Sequence, residues 1–122
     1  MSTLVVGDVH GCADELSQLV AIAQPTRVVL VGDLFTKGPD PAGVWRFVRE
    51  HGVQAVLGNH DWRLLAFRRG ERDWDDEARV VCADLDAADP AWHPWLASRP
   101  LFVEIAPFIV THASLHPSGD LD

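Results

Sequence analysis

Cysteine, basic charge and long apolar runs are all scarce in this 122-residue chain, and each shortage excludes a class of protein. The two cysteines, Cys12 and Cys82, make neither a disulfide framework nor a CxxC metal knuckle. They read as partly buried thiols of a reducing compartment. Lysine and arginine total 10 against 18 aspartates and glutamates, a formal net charge of −8. That balance argues against nucleic acid and anionic membrane as partners, since both favour basic patches. No apolar run approaches the roughly 20 residues that cross a bilayer, and the N-terminus lacks the basic-then-apolar layout of a signal peptide. The expected location is cytoplasmic.

What is present suits one globular domain: 48% hydrophobic and 23% charged residues, enough apolar material for a single core. The chain has no repeat, no low-complexity tract and no linker rich enough to divide it. Its first half alternates strand and helix signals. Thr3–Gly7 is a short β-rich run, and Asp14–Ala23 carries Leu16, Leu19, Val20 and Ala23 at helical spacing. "RVVLVG" at Arg27–Gly32 predicts a second strand. Asp40 as N-cap, Pro41 at the first helical position and Gly52 beyond the end predict a helix with Val44, Phe47 and Val48 buried. Val53–Leu57 predicts a third strand, and Asn59–Arg69 a helix with Trp62, Leu65 and Ala66 on one side. Strand–helix–strand at this spacing implies βαβ units and a parallel sheet covered on both faces, with ligands beyond the carboxyl ends of the strands.

The second half differs. Arg72–Asp89 is acidic but fails the calcium-loop spacing, and reads as a solvated helical face or lid. Pro90–Arg99 predicts a short helix with Trp92 and Trp95 turned inward. "LFVEI" and "FIVTH", parted by Ala106-Pro107, predict a hairpin or two neighbouring strands.

The chemistry lies where strands end. The first supplies Asp8 and His10, the second Asp33, the third Asn59, His60 and Asp61, and the last His112. A single aspartate after a strand is ordinarily a helix cap, and a single histidine a satisfied polar side chain. Four such ends in one short chain call for a common cause. Carboxylate with imidazole suits borderline or hard divalent metals rather than soft ones. Glycine precedes the polar residue at three of the ends, where it permits a tight turn and close approach of backbone to a ligand.

"GDVHG", "GDLFTKGP", "GNHD" and "THAS" resemble, in order, the first four signature blocks of the calcineurin-like metallophosphoesterases, specifically the phosphoprotein phosphatase branch. The longer stretches "LGNHDWRLLA" and "RPLFVEIAPFIVTHASLHP" are most similar to bacterial symmetrical dinucleoside tetraphosphatases. The resemblance implies the N-terminal part of a metallophosphoesterase-type α/β sandwich, with residues 1–122 forming a domain truncated at its C-terminus. It also implies two divalent ions: manganese first, with iron, zinc, nickel or cobalt as alternatives. Asp8 and His10 would hold one ion, Asp33 would bridge both, and Asn59 and His112 would hold the other. Asp33 and His60 would be the catalytic residues, His60 as general acid rather than ligand, with Lys37 and Asn59 binding phosphate. Water activated by the metal pair would then hydrolyse a phosphoester or phosphoanhydride. The substrate would be a dinucleoside polyphosphate, another small phosphorylated molecule or a phosphoprotein. His51, His93 and His116 match no block and are expected at the surface or in packing.

Two departures stand out. Thr36-Lys37-Gly38 replaces the Asp-Arg-Gly of the protein phosphatases, so Thr36 has no carboxylate to orient the catalytic histidine, and Lys37 lacks a bidentate fork for phosphate. The later Gly-His block that completes the second metal does not occur in these 122 residues. A non-catalytic metal-binding remnant is therefore the rival expectation. An HD-type phosphohydrolase is a weaker one, because His60-Asp61 follows a strand instead of lying within a helical array.

Overall fold

The computed structural model describes residues 2–7, 9–71, 73 and 76–112. Three parallel strands form the main sheet: β1 (Thr3–Val6), β2 (Arg27–Leu30) and β3 (Gln54–Ala55), in the order β1-β2-β3. Val5 is level with Val29, and Leu30 with Ala55. Helix α1 (Ala13–Ala23) connects β1 to β2, and α2 (Pro41–His51) connects β2 to β3. Both βαβ units are therefore present, and every strand of this sheet points its carboxyl end the same way.

The ends of α2 follow from its sequence. Asp40 accepts a hydrogen bond from the Gly43 amide at 2.9 Å, Pro41 occupies the first turn, and Gly52 closes the helix in the left-handed region at φ 60°. Val44, Phe47 and Val48 are buried as expected, together with Trp45.

Helix α3 (Asn59–Arg68) leaves β3 directly, and α4 (Asp76–Ala88) and α5 (Trp92–Ala97) complete the helical layer. The acidic stretch is indeed a helix with a solvated face: Ala78, Val81, Cys82 and Leu85 are buried while Asp76, Glu77 and Asp84 are exposed. Two of its acids nonetheless serve the core. Asp86 accepts from the indole N–H of fully buried Trp92 at 2.7 Å, and the Asp89 carbonyl accepts from that of Trp45 at 3.1 Å. Trp92 meets Phe35 edge-on, with ring centroids 6.4 Å apart. These rings, with Leu30, Leu34, Val44, Leu64 and Leu85, centre the core between sheet and helices. Trp95 is only partly buried, against Trp45.

β4 (Phe102–Ile105) and β5 (Phe108–Thr111) form an antiparallel hairpin, a separate two-stranded sheet. A bond from the Leu57 amide to the Pro100 carbonyl, 2.8 Å, ties its entry to the extension of β3.

Three expectations are corrected. The sheet is not covered on both faces: β1 is half exposed, with Val5 at 45%. Leu19 and Ala23 accordingly face solvent, leaving Ala13 and Leu16 as the buried residues of α1. On α3, Leu64 turns inward with Leu65 and Ala66, and Trp62 turns out. At 100° per residue Asp61, Leu64 and Leu65 centre the inward face, and Trp62 lies roughly 100° from that centre, at its edge. Among the described residues no helix is long and apolar enough to cross a membrane.

Candidate metal centre

The loops at the carboxyl ends of β1, β2 and β3 are held against one another by backbone. The His10 amide bonds the Asp33 carbonyl at 2.9 Å, and the Gly11 amide that of Leu34 at 2.8 Å. His10, Asp33 and Lys37 all have positive φ, at 43°, 51° and 66°. Residues other than glycine seldom adopt this region, and it is tolerated where surrounding structure over-determines it. Two of the glycines are needed by this tight backbone itself. A Cβ on Gly58 would strike the Asp33 carboxylate and backbone, and one on Gly32 would lie 2.7 Å from Gly58 and 3.0 Å from Nδ1 of His112. Gly7, by contrast, has open space.

Asp61 organises the junction. Fully buried, it accepts from the amides of Asp33 (2.8 Å), Leu34 (3.0 Å) and Gly58 (2.9 Å), joining the β2 loop to the start of α3. Burial pushes its carboxyl up to about 6, against the downward pull of the amides. Its place in the third block was legible, but this structural role was not. The side chain holds the loop that presents Asp33.

Asp33, 4% exposed, is the hub of the site. Its Oδ1 accepts from the His60 amide at 2.9 Å, and its Oδ2 faces Nε2 of His112 at 3.1 Å and Nε2 of His10 at 4.0 Å. His112, from the end of β5, also places Nε2 3.0 Å from Oδ1 of Asn59. The hairpin thus delivers its histidine to the carboxyl ends of the parallel strands although it belongs to another sheet. Asp8 and His116 lie outside the described residues.

Hydrogen bonding fixes the tautomers of both imidazoles. Nδ1 of His10 faces the Thr36 carbonyl at 3.1 Å and Nδ1 of His112 the Val31 carbonyl at 2.6 Å. A carbonyl only accepts, so Nδ1 carries a proton and Nε2 is the nitrogen that each ring turns towards Asp33. Backbone carbonyls behind the distal nitrogen are the usual support of metal-ligating histidines. At His112 this nitrogen meets two acceptors, the Asp33 and Asn59 oxygens. Such a cluster suits a positive charge among its members, either a proton on Nε2 or a metal ion. Separations of 3.0 and 3.1 Å also match the edge of an octahedron with metal–ligand bonds of about 2.1 Å. The donor set therefore fits a divalent ion. Among the described residues no three His, Cys, Asp or Glu side chains close on one point at ligating geometry. One donor of the cluster is the Asn59 carboxamide, and His10 stands farther out.

His60 lies beside this cluster, its ring edge-on to His10 with centroids 5.9 Å apart. Burial lowers its pKa; Asp33 opposes that shift, and Lys37, Arg63 and His10 add to it. Lys37 and Arg63 are therefore near enough to lay positive potential over the site. Arg63 was missed in the sequence. It follows His60 by one helical turn, and its Nε is buried with no hydrogen-bond partner among the described residues. Thr36 is fully buried, and the part of it that reaches the site is its carbonyl, behind His10. His51 stacks on Phe47 and His93 packs edge-on to Trp92, both away from the centre.

Residues 1–114 match the family model described as calcineurin-like phosphoesterase. The symmetrical bis(5'-nucleosyl)-tetraphosphatase of Vibrio parahaemolyticus is 38% identical over 128 aligned residues, covering 100% of this chain and 48% of that protein. The enzyme of the same description from Psychromonas ingrahamii is 40% identical, covering 96% of this chain and 45% of its own length. The chain thus spans about half the length of the curated relatives it matches. A crystal structure described as a candidate diadenosine tetraphosphatase superposes with a TM-score of 0.76 at 31% identity, over 95% of this chain and 51% of that one. The fold also matches a metallophosphoesterase from Sphaerobacter thermophilus, with a TM-score of 0.66 at 23% identity, over 89% and 45%.

Proposed function

Because this chain belongs to the calcineurin-like phosphoesterase family, we propose that it hydrolyses phosphoanhydrides or phosphoesters at a pair of divalent metal ions, with dinucleoside polyphosphates as the substrate class. The observation that carries this reading is the convergence of His112 Nε2, Asp33 Oδ2 and Asn59 Oδ1, with Nδ1 of His112 already committed to a carbonyl. Asp8 and His10 would hold one ion, Asn59 and His112 the other, with Asp33 between them; manganese is the ion proposed. When bound, such ions supply Lewis acidity towards phosphoryl oxygens and bring the pKa of water down towards 7.

The chain's own groups do the rest. Two divalent ions, about +4, outweigh the −2 of Asp8 and Asp33, so the pocket of an acidic protein turns positive. Lys37 and Arg63 extend that potential and draw in a polyphosphate. His60, held by its backbone bond to Asp33, would protonate the leaving oxygen as an imidazolium. The dinucleoside substrate class rests on the printed names of the relatives, symmetrical bis(5'-nucleosyl)-tetraphosphatases.

Calorimetric titration with Mn²⁺, followed by turnover assays on diadenosine tetraphosphate, a phosphothreonine peptide and p-nitrophenyl phosphate, tests the reading. Metal binding with fastest turnover of the dinucleotide is expected. Failure to bind Mn²⁺ would overturn the metal centre. Binding without turnover of any substrate would reduce the chain to a metal-binding module.

A further inference from the structure

Beside the metal centre, α3 turns a large aromatic ring to solvent. Trp62 follows His60 by two residues and is 45% exposed, whereas Trp45 and Trp92 are almost wholly buried. Ala66 and Arg69 follow at i+4 and i+7 on the same helical stripe. With Glu71 they line a recess of about 220 Å³ beside the indole. Pockets for drug-sized ligands run from roughly 300 Å³ upward, so this recess suits a single planar ring system better than a whole nucleotide.

Its polar wall is mixed. Arg69 Nη1 and Glu71 Oε1 stand 3.8 Å apart, close enough to face one edge of a planar ring together, and both side chains are about half exposed. One offers N–H donors, the other only acceptors. That donor-next-to-acceptor edge complements adenine, which presents the N7 acceptor beside the N6 amino donor. It suits guanine as well, whose free Watson–Crick edge sets the O6 acceptor beside the N1–H donor.

We propose that Trp62, Arg69 and Glu71 form a purine-base subsite, in which the indole stacks on the base while the guanidinium and carboxylate bond its edge. The proposal deepens the reading of the chain as a dinucleoside polyphosphate hydrolase and rests on it for the position of the phosphates. Trp62 lies about 4.5 Å along the helix axis from Asn59, at a rise of 1.5 Å per residue, so both stand in the first turn of α3. Trp62 is in this role a base-binding residue, not a catalytic one.

Calorimetric titration of the full chain with AMP, GMP and ribose 5-phosphate tests it. Stacking on one aromatic ring should make AMP bind roughly 5- to 150-fold tighter than ribose 5-phosphate. Trp62→Ala should abolish that advantage and Trp62→Phe should keep most of it. Glu71→Gln should weaken AMP and GMP while leaving both ahead of ribose 5-phosphate. All three positions are exposed, so unchanged thermal midpoints confirm that the variants fold. Equal binding of AMP and ribose 5-phosphate, or an unaltered ratio in Trp62→Ala, would overturn the subsite and leave the phosphate site standing. Adenosine that binds through Trp62 in a chain with no affinity for ribose 5-phosphate would do the reverse. It would retain the subsite and overturn the phosphate reading.

Discussion

Nε2 of His112 stands 3.1 Å from Oδ2 of Asp33, although one residue ends a separate hairpin and the other follows the middle strand of the parallel sheet. With Nδ1 of His112 bonded to the Val31 carbonyl, Nε2 is the nitrogen left to face the carboxylate. The contact brings imidazole and carboxylate within reach of one cation, and a bound metal would be shared between them.

Asp33→Asn should therefore separate folding from metal binding. The carboxamide can still accept from the His60 amide, and removing the charge relieves repulsion with buried Asp61. The metal-free variant should melt at or above the wild-type temperature. Wild type should gain about 2.7 kcal/mol in Mn²⁺ at 100 times its dissociation constant, and the variant should gain nothing. Equal stabilisation of the two proteins by Mn²⁺ would remove Asp33 from the metal centre.

Much of this centre could be read from residue order alone, because an apolar run ending in Asp, His or Asn marks both the end of a strand and a group presented beyond it. The ends of α2 were equally legible, since Asp40, Pro41 and Gly52 act within a few residues of one another. What escaped depends on distant contacts. The exposure of Leu19 follows from the open face of the sheet, the outward turn of Trp62 from the angular position of α3, and the roles of Gly32 and Gly58 from packing between two loops. Asp61 escaped for the same reason. Its partners on Asp33 and Leu34 come from another strand end.

Asp61→Asn tests that cross-strand role. One carboxylate oxygen accepts two amides and the other a third, so a carboxamide must point its NH₂ at one or two N–H groups. The buried mismatch should cost about 1–3 kcal/mol. In thermal unfolding of the metal-free chain this corresponds to a drop of roughly 3–15 °C. A midpoint within a degree of wild type would mean that Asp61 does not clamp the loop.

His60→Asn should leave Mn²⁺ affinity unchanged, because the contact of residue 60 with Asp33 is made by its backbone amide. Loss of a general acid costs roughly 10²–10⁴-fold when the leaving group is a poor one. The variant should slow by that factor on a phosphothreonine peptide, whose alkoxide needs a proton, and much less on p-nitrophenyl phosphate, whose phenolate departs readily. Equal slowing on both substrates would contradict the role as acid, and loss of Mn²⁺ would make His60 a ligand.

Cys82 reports on the helical layer independently of the metal site. It is 5% exposed within α4, and burial, with Asp86 nearby, pushes its thiol up to about 11. At pH 8 only about one thiol in a thousand is ionised, and the thiolate is the species that alkylating reagents attack. Iodoacetamide should therefore label Cys82 in the native chain at least 100-fold more slowly than in the unfolded chain. Titration of that thiol should leave stability untouched below about pH 9, the ordinary thiol value, and erode it as pH rises towards 11, because only the unfolded chain ionises freely in that window. Peptide mapping after timed labelling reads the site directly. Native-state labelling of Cys82 at the unfolded rate would show that α4 does not pack stably on α2 and α3, and would remove the helical layer from the core described above.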